Sequence, residues 1–129
     1  NTHTTVIFNV EEFDTKGWYD HTTGKYTPQV AGYYYAYAHC YGYNYNNISV
    51  EFSTRLYKNE TLAGYTYAGY DDNWGGAMSN NCQDVIQLNG TTDYIRVGAY
   101  QNTSNASSDN LYGGQTGATI FTGHLVQSI

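Results

Sequence analysis

Charge is what this 129-residue chain has least of. Asp, Glu, Lys and Arg make up 12% of it, against about a quarter in ordinary soluble domains. Its surface must therefore be built from neutral polar groups: Asn, Thr, Ser, Gly and tyrosine hydroxyls. The five cations, Lys16, Lys25, Arg55, Lys58 and Arg96, are scattered among eleven acids, for a formal net charge of −6. Tracking nucleic-acid phosphates needs clustered Lys and Arg, so nucleic acid and anionic membranes are poor partners and neither is expected. No run approaches the roughly 18 apolar residues that would span a bilayer. The opening "NTHTTVIFNVEEFD" lacks the basic and apolar regions of a signal peptide; without an initiator Met, it reads as a processed product or a domain cut from a longer chain.

Cysteine and proline are equally scarce. Two cysteines, Cys40 and Cys82, allow one intramolecular bridge at most. A disulfide and a pair of buried free thiols stay equally open, because free Cys is itself a common core residue. The single proline, Pro28, stands at the end of a strand-like run, where a missing N–H costs little. One chain of this length makes one domain, residues 1 to 129.

What the chain has in excess is tyrosine, 16 residues of a 17% aromatic share, concentrated in "YDHTTGKYTPQVAGYYYAYAHCYGYNYNN". No helical period competes with the alternating and β-branched runs at 5–10, 25–28, 32–40, 49–59, 61–68, 83–88, 93–101 and 118–127. These are separated by Gly, Asn, Asp and Ser clusters suited to turns. Eight to ten strands with no helix predict an all-β antiparallel sandwich, most simply a jelly roll. Gly64 and Gly98, inside two of the runs, mark bulges or close backbone approach. The long segment after Gln101 has a loop composition.

Strand alternation divides "YYYAYAHC" into Tyr33, Tyr35, Tyr37 and His39 on one face and Tyr34, Ala36, Ala38 and Cys40 on the other. Small residues suit a sandwich interior. The tyrosines suit a subunit interface, each joining a large apolar ring to a hydroxyl, although tyrosine is also an ordinary residue of a half-exposed sheet face. Tyr41, Tyr43 and Tyr45 fall among Gly and Asn and read as rim or loop residues.

Catalytic patterns are absent. Glu11-Glu12 and Asp71-Asp72 are adjacent rather than set across a cleft. His3, His21, His39 and His124 are dispersed without zinc spacing, and there is no nucleophile elbow. The expectation is a chain that is not an enzyme. "YDDNWGG" offers Asp71, Asp72 and Asn73 as hard oxygen ligands for calcium, without EF-hand spacing; an Asx-rich turn explains it equally.

The order of five segments resembles the C1q-like globular head, the complement and tumour-necrosis-factor type jelly roll. The first segment matches at Phe8, Phe13, Tyr19, Asp20, Thr23, Gly24, Tyr26, Thr27, Pro28, Gly32 and Tyr34. "RLYKN", the two strands joined by a short turn in "DVIQLNGTTDYIRVGAYQ", and "FTGHLV" are the other four and resemble later strands of that family. Two positions depart from it: Ala36 where Phe is usual, and Thr92-Asp93 where Gly-Asp is usual. No collagen-like stalk is present in the chain. The resemblance implies a homotrimer around a threefold axis, with Tyr33, Tyr35, Tyr37 and His39 at the interface, and the calcium bound by several family members keeps Asp71, Asp72 and Asn73 in view.

Low charge, Asn/Tyr/Gly/Thr richness and apparent excision from a longer chain favour a phage or viral version: a head on a virion fibre or appendage, attaching to a host-surface glycan or protein. Tyr70, Trp74 and Tyr112 are the candidate ligand-stacking residues. The alternatives are an architectural trimerising or capping domain without receptor contact, and a secreted animal pattern-recognition head. For the last, the five sequons at Asn47, Asn59, Asn89, Asn102 and Asn105 would matter. The expected location is the virion or the extracellular space.

Overall fold

The computed structural model describes residues 2–44, 50–70, 76–102, 109–111 and 118–129. Among the described residues ten strands run in the order β1 (Thr2–Thr5), β2 (Tyr19–Asp20), β3 (Lys25–Tyr26), β4 (Gly32–Asn44), β5 (Val50–Lys58), β6 (Thr61–Tyr70), β7 (Gly76–Leu88), β8 (Ile95–Asn102), β9 (Asp109–Leu111) and β10 (Ile120–Ser128). One sheet has the order β2-β3-β8-β5-β6, with β1 also on β8; the other has the order β10-β4-β7, with β9 also on β4. Every pairing is antiparallel. The expected jelly-roll sandwich is the fold.

The core lies between the sheets and obeys the two-residue period. From β4 it receives Tyr34, Ala36, Ala38 and Cys40, all without exposed surface; from β5, Phe52 and Leu56; from β7, Met78, Cys82, Ile86 and Leu88; from β8, Ile95, Val97 and Ala99. Ala36, which replaces the larger residue expected from the resemblance, is paired with Gly123 of β10. These two small residues leave room for the Tyr26 ring, which lies 3.0 Å from where a Cβ on Gly123 would stand. Phe8, Trp18, Tyr19 and Phe121 close that end of the core. Burial drives the Tyr26 phenol up to about 12.

A buried polar knot ties the sheets together farther along. The Asn80 side chain of β7 accepts the Thr54 hydroxyl of β5 and donates from Nδ2 to the carbonyls of Phe52 and Thr66 at 3.1 Å each. Thr54 also reaches the Asn80 carbonyl at 3.1 Å. Both side chains are buried, so a matched set of partners is a requirement rather than an ornament.

Turns follow side-chain chemistry. Asp20 accepts the Thr22 N–H at 2.8 Å and the hydroxyls of Thr22 and Thr23 at 2.7 Å, ahead of Gly24 at φ +70°. The β5–β6 hairpin turns on Asn59 and Glu60, at φ 47° and 69°. Asn tolerates this left-handed region, whereas Glu60 is held there by hydrogen bonds at 2.8 Å from the Tyr94 hydroxyl and Arg96 Nε.

Three expectations are revised. The strand placed at 5–10 is β1 and ends at Thr5: Val6 makes one last ladder bond to Val97, after which the Phe8 N–H turns to the Tyr19 hydroxyl at 2.9 Å. β7 begins at Gly76, not at 83, because polar "SNN" pairs with β4 through Tyr41, Cys40 and His39. β4 runs on to Asn44, so Tyr41 and Tyr43 are strand residues rather than loop ones. Of the two readings left open for the cysteines, Cys40 and Cys82 are free thiols; they sit on neighbouring strands at staggered positions, Cys40 opposite Asn80 and Cys82 opposite Ala38. Burial pushes the Cys40 thiol up to about 11 and raises that of Cys82.

Both strand glycines act as expected. The β5–β6 register shifts between Leu56, opposite Gly64, and Tyr57, opposite Leu62, and at Gly98 the Tyr57 ring lies 2.7 Å from where a Cβ would be.

Candidate interaction face

The outward side of the β10-β4-β7 sheet is built by strand register. Tyr33, Tyr35, Tyr37, His39 and Tyr41 point away from the core that their even-numbered neighbours fill. Opposite them on β7 stand Gln87, Val85, Gln83, Asn81 and Ser79. On β10, Gln127 faces Tyr33, His124 faces Tyr35, Thr122 faces Tyr37 and Ile120 faces His39. At about 3.3 Å per residue, Tyr33 to His39 spans about 20 Å.

No Asp, Glu, Lys or Arg occurs among these paired positions. Apolar groups are open to solvent within it: Val85 is 53% exposed, Tyr33 38% and Ile120 37%. Within the face Tyr35 is fixed, donating its hydroxyl to Gln83 Oε1 at 2.8 Å and packing 5.3 Å from the His124 ring. An aromatic surface without Asp, Glu, Lys or Arg, presenting hydroxyls and amides for hydrogen bonding, has the composition of an interface centre. The structure thus brings Tyr33, Tyr35, Tyr37 and His39 together on one face and adds His124, Ile120 and Val85. The alternation within β4 was legible from sequence; the contribution of β7 and β10 needed the pairing.

The remaining candidates separate. Asp71, Asp72, Asn73, Trp74 and Tyr112 lie outside the described residues, as does Tyr45. Tyr70 ends β6, paired with Val50. Among the described residues, no group of three His, Cys, Asp or Glu could hold a metal ion. Glu11 contacts His21 Nε2 at 3.0 Å, while His21 Nδ1 bonds the Phe8 carbonyl at 2.8 Å. The carbonyl and then the carboxylate raise the imidazole pKa. A shallow depression between the β5–β6 hairpin and β7 is lined by Lys58, Asn59, Leu62, Asp84 and Val85 among others. Among the described residues, no helix is long and apolar enough to cross a membrane.

Strand order and an all-β two-layer core define a jelly-roll sandwich. The match to the C1q domain extends over residues 1–126, and the chain belongs to that family. Among solved structures it is similar to the globular domain of the zebrafish complement 1qA protein, with a TM-score of 0.60 and 17% identity over 97% of this chain and 86% of that one. At that identity the likeness speaks for the fold. No curated protein matches the sequence.

Proposed function

We propose that this chain is a non-enzymatic head that assembles as a homotrimer through the β10-β4-β7 face and attaches a virion fibre or appendage to a glycan or protein on a host surface. The observation that carries the reading is the uncharged face around Tyr33, Tyr35, Tyr37 and His39, flanked by solvent-open Val85 and Ile120. Burying such a face against two copies removes apolar area from water without stranding a charge. A trimer then presents three equal ligand sites on one rigid body, and repetition of heads multiplies weak single-site affinity. The proposed ligand contacts at the loops are Tyr70, Trp74 and Tyr112, with Asp71, Asp72 and Asn73 as polar partners or calcium ligands.

Two features fit a virion setting. Cys40 and Cys82 are both free, as in proteins made in a reducing compartment. The sequon residues Asn59 and Asn89 use their Nδ2 groups in turn hydrogen bonds, to Asp93 at 2.6 Å and to Thr92 at 2.9 Å. The test is competition: the purified chain, added in excess, is expected to block attachment of the particle that bears it, and Trp74→Ala to block less well. A chain that trimerises yet neither binds host cells nor blocks attachment leaves the architectural role and overturns the receptor role.

A further inference from the structure

The five cations look scattered in the sequence, but three of them, Lys25, Arg55 and Arg96, share the outward side of the six-stranded sheet. Lys25 stands opposite Arg96 on β8, and Arg96 opposite Tyr57 on β5. Arg55 stands opposite Gly98 on β8 and Tyr65 on β6, while His3 of β1 stands opposite Tyr100 in the adjacent row. Each cation lies over a ring: Lys25 is 4.2 Å from Tyr94, Arg96 4.0 Å from Tyr57 and Arg55 4.3 Å from Tyr100.

Arg96 is neutralised by Glu60. Arg55 has no carboxylate partner among the described residues. Its Nε donates to Ser53 Oγ at 3.1 Å and its Nη1 lies 3.4 Å from His3 Nδ1. The nearest acid on its own strand, Glu51, is four residues or about 13 Å away. With Nδ1 of His3 accepting from the guanidinium, the imidazole carries its proton on Nε2. That Nε2–H lies on the far side of the ring from the guanidinium, so His3 positions Arg55 rather than sharing its ligand, and the remaining N–H groups of the Arg55 fork are the donor set that matches a carboxylate or sulfate. The guanidinium and the imidazole both rest on Tyr100, with His3 at 4.7 Å, so the Arg55 donors are held in place before any ligand arrives. Beside them Tyr65 is 63% exposed, a free aromatic face within reach of a group held on Arg55.

We propose that Arg55 and Tyr65 form a binding site for an acidic sugar, with Arg55, positioned by His3, holding its carboxylate or sulfate and Tyr65 stacking on its ring. This rests on the reading of the chain as a surface-recognition head and names a ligand class and a place for it, on the flank of the head rather than on its loops. A chain of net charge −6 repels polyanions at long range, so a short acidic oligosaccharide, not a long polyanion, is the ligand the site fits.

The experiment is titration of the 129-residue chain, followed by amide NMR shifts and calorimetry, with three probes: tri-galacturonic acid, a sulfated trisaccharide and neutral maltotriose. Host-cell binding is read in parallel. The expected result is saturable binding of at least one acidic probe with shifts confined to β1, β5, β6 and β8, and maltotriose at least about tenfold weaker. Arg55→Gln and Tyr65→Ala each weaken binding, Arg55→Gln by about tenfold or more, while Lys16→Gln, an equal charge change elsewhere, leaves it unchanged. The carboxylated and sulfated probes separate the two sources of the acid group. Equal binding by Arg55→Gln and the parent, shifts on another face, or no binding of either acidic probe overturns the site. If host cells are still bound in that case, the recognition reading stands without it; if they are not, both fail.

Discussion

Replacing Asn80 with Leu removes two donors to backbone carbonyls and the acceptor of the Thr54 hydroxyl while keeping the branched outline of the side chain. The two lost bonds, each at 3.1 Å, are worth about 0.5–1.5 kcal/mol apiece, and carbonyls left without a partner add a desolvation cost. Part of this is returned because leucine is apolar and the site is buried. Thr54 keeps one acceptor, the Asn80 backbone carbonyl at 3.1 Å. The expected net loss is about 2–3 kcal/mol, or about 8–12 °C in Tm for a domain of this size. Thr54→Val alone strands the Asn80 Oδ1 and costs about 1–2 kcal/mol. In the double variant that oxygen no longer exists, so the losses fall short of additive by about 1 kcal/mol. Urea titration at one fixed protein concentration reads all four corners of the cycle. An Asn80→Leu chain as stable as the parent, or strictly additive losses, would refute the view of this pair as a satisfied buried knot.

Two further outcomes follow from titrating groups. The Thr22 and Thr23 hydrogen bonds hold the Asp20 carboxyl down at about 2, below its unfolded value of about 3.9. A depressed folded pKa stabilises above the unfolded pKa and loses that contribution as pH falls through the folded one. Asp20→Asn is therefore expected to lower the urea midpoint at pH 6 and to converge with the parent as pH falls from about 4 to 2; a constant difference across that window would contradict the assignment. For Cys40 and Cys82, whose thiols burial has raised, Ellman's reagent is expected to react slowly with the native chain at pH 8 and quickly in urea. Prompt native reaction would contradict their burial.

The fold was legible in the sequence where one residue type marked one face. Tyrosine at alternate positions of β4, against Ala and Cys between them, fixed both the strand and its inner side, and the family segments fixed the order of the rest. Polar "SNN" at 79–81 reads as a turn by composition, yet it is strand because Asn80 satisfies itself inside the sandwich. The N-terminal run reads as one strand to residue 10, yet it ends once Phe8 finds the Tyr19 hydroxyl. The Arg55 site was invisible for a topological reason. Residues 3, 55, 65, 98 and 100 belong to four strands that only the β1-β8-β5-β6 pairing sets side by side, so their charges look dispersed along the chain.

The central claim is that the uncharged tyrosine face of β4 joins three copies of the chain, and solution mass by sedimentation equilibrium tests it most directly. The parent is expected at three times the 14.4 kDa chain mass. Tyr37→Asp, which puts one buried charge per copy into that face, is expected at the mass of a single chain with an unchanged β-sheet circular dichroism spectrum. A parent that stays monomeric at tens of micromolar, or a Tyr37→Asp variant that stays trimeric, would contradict it.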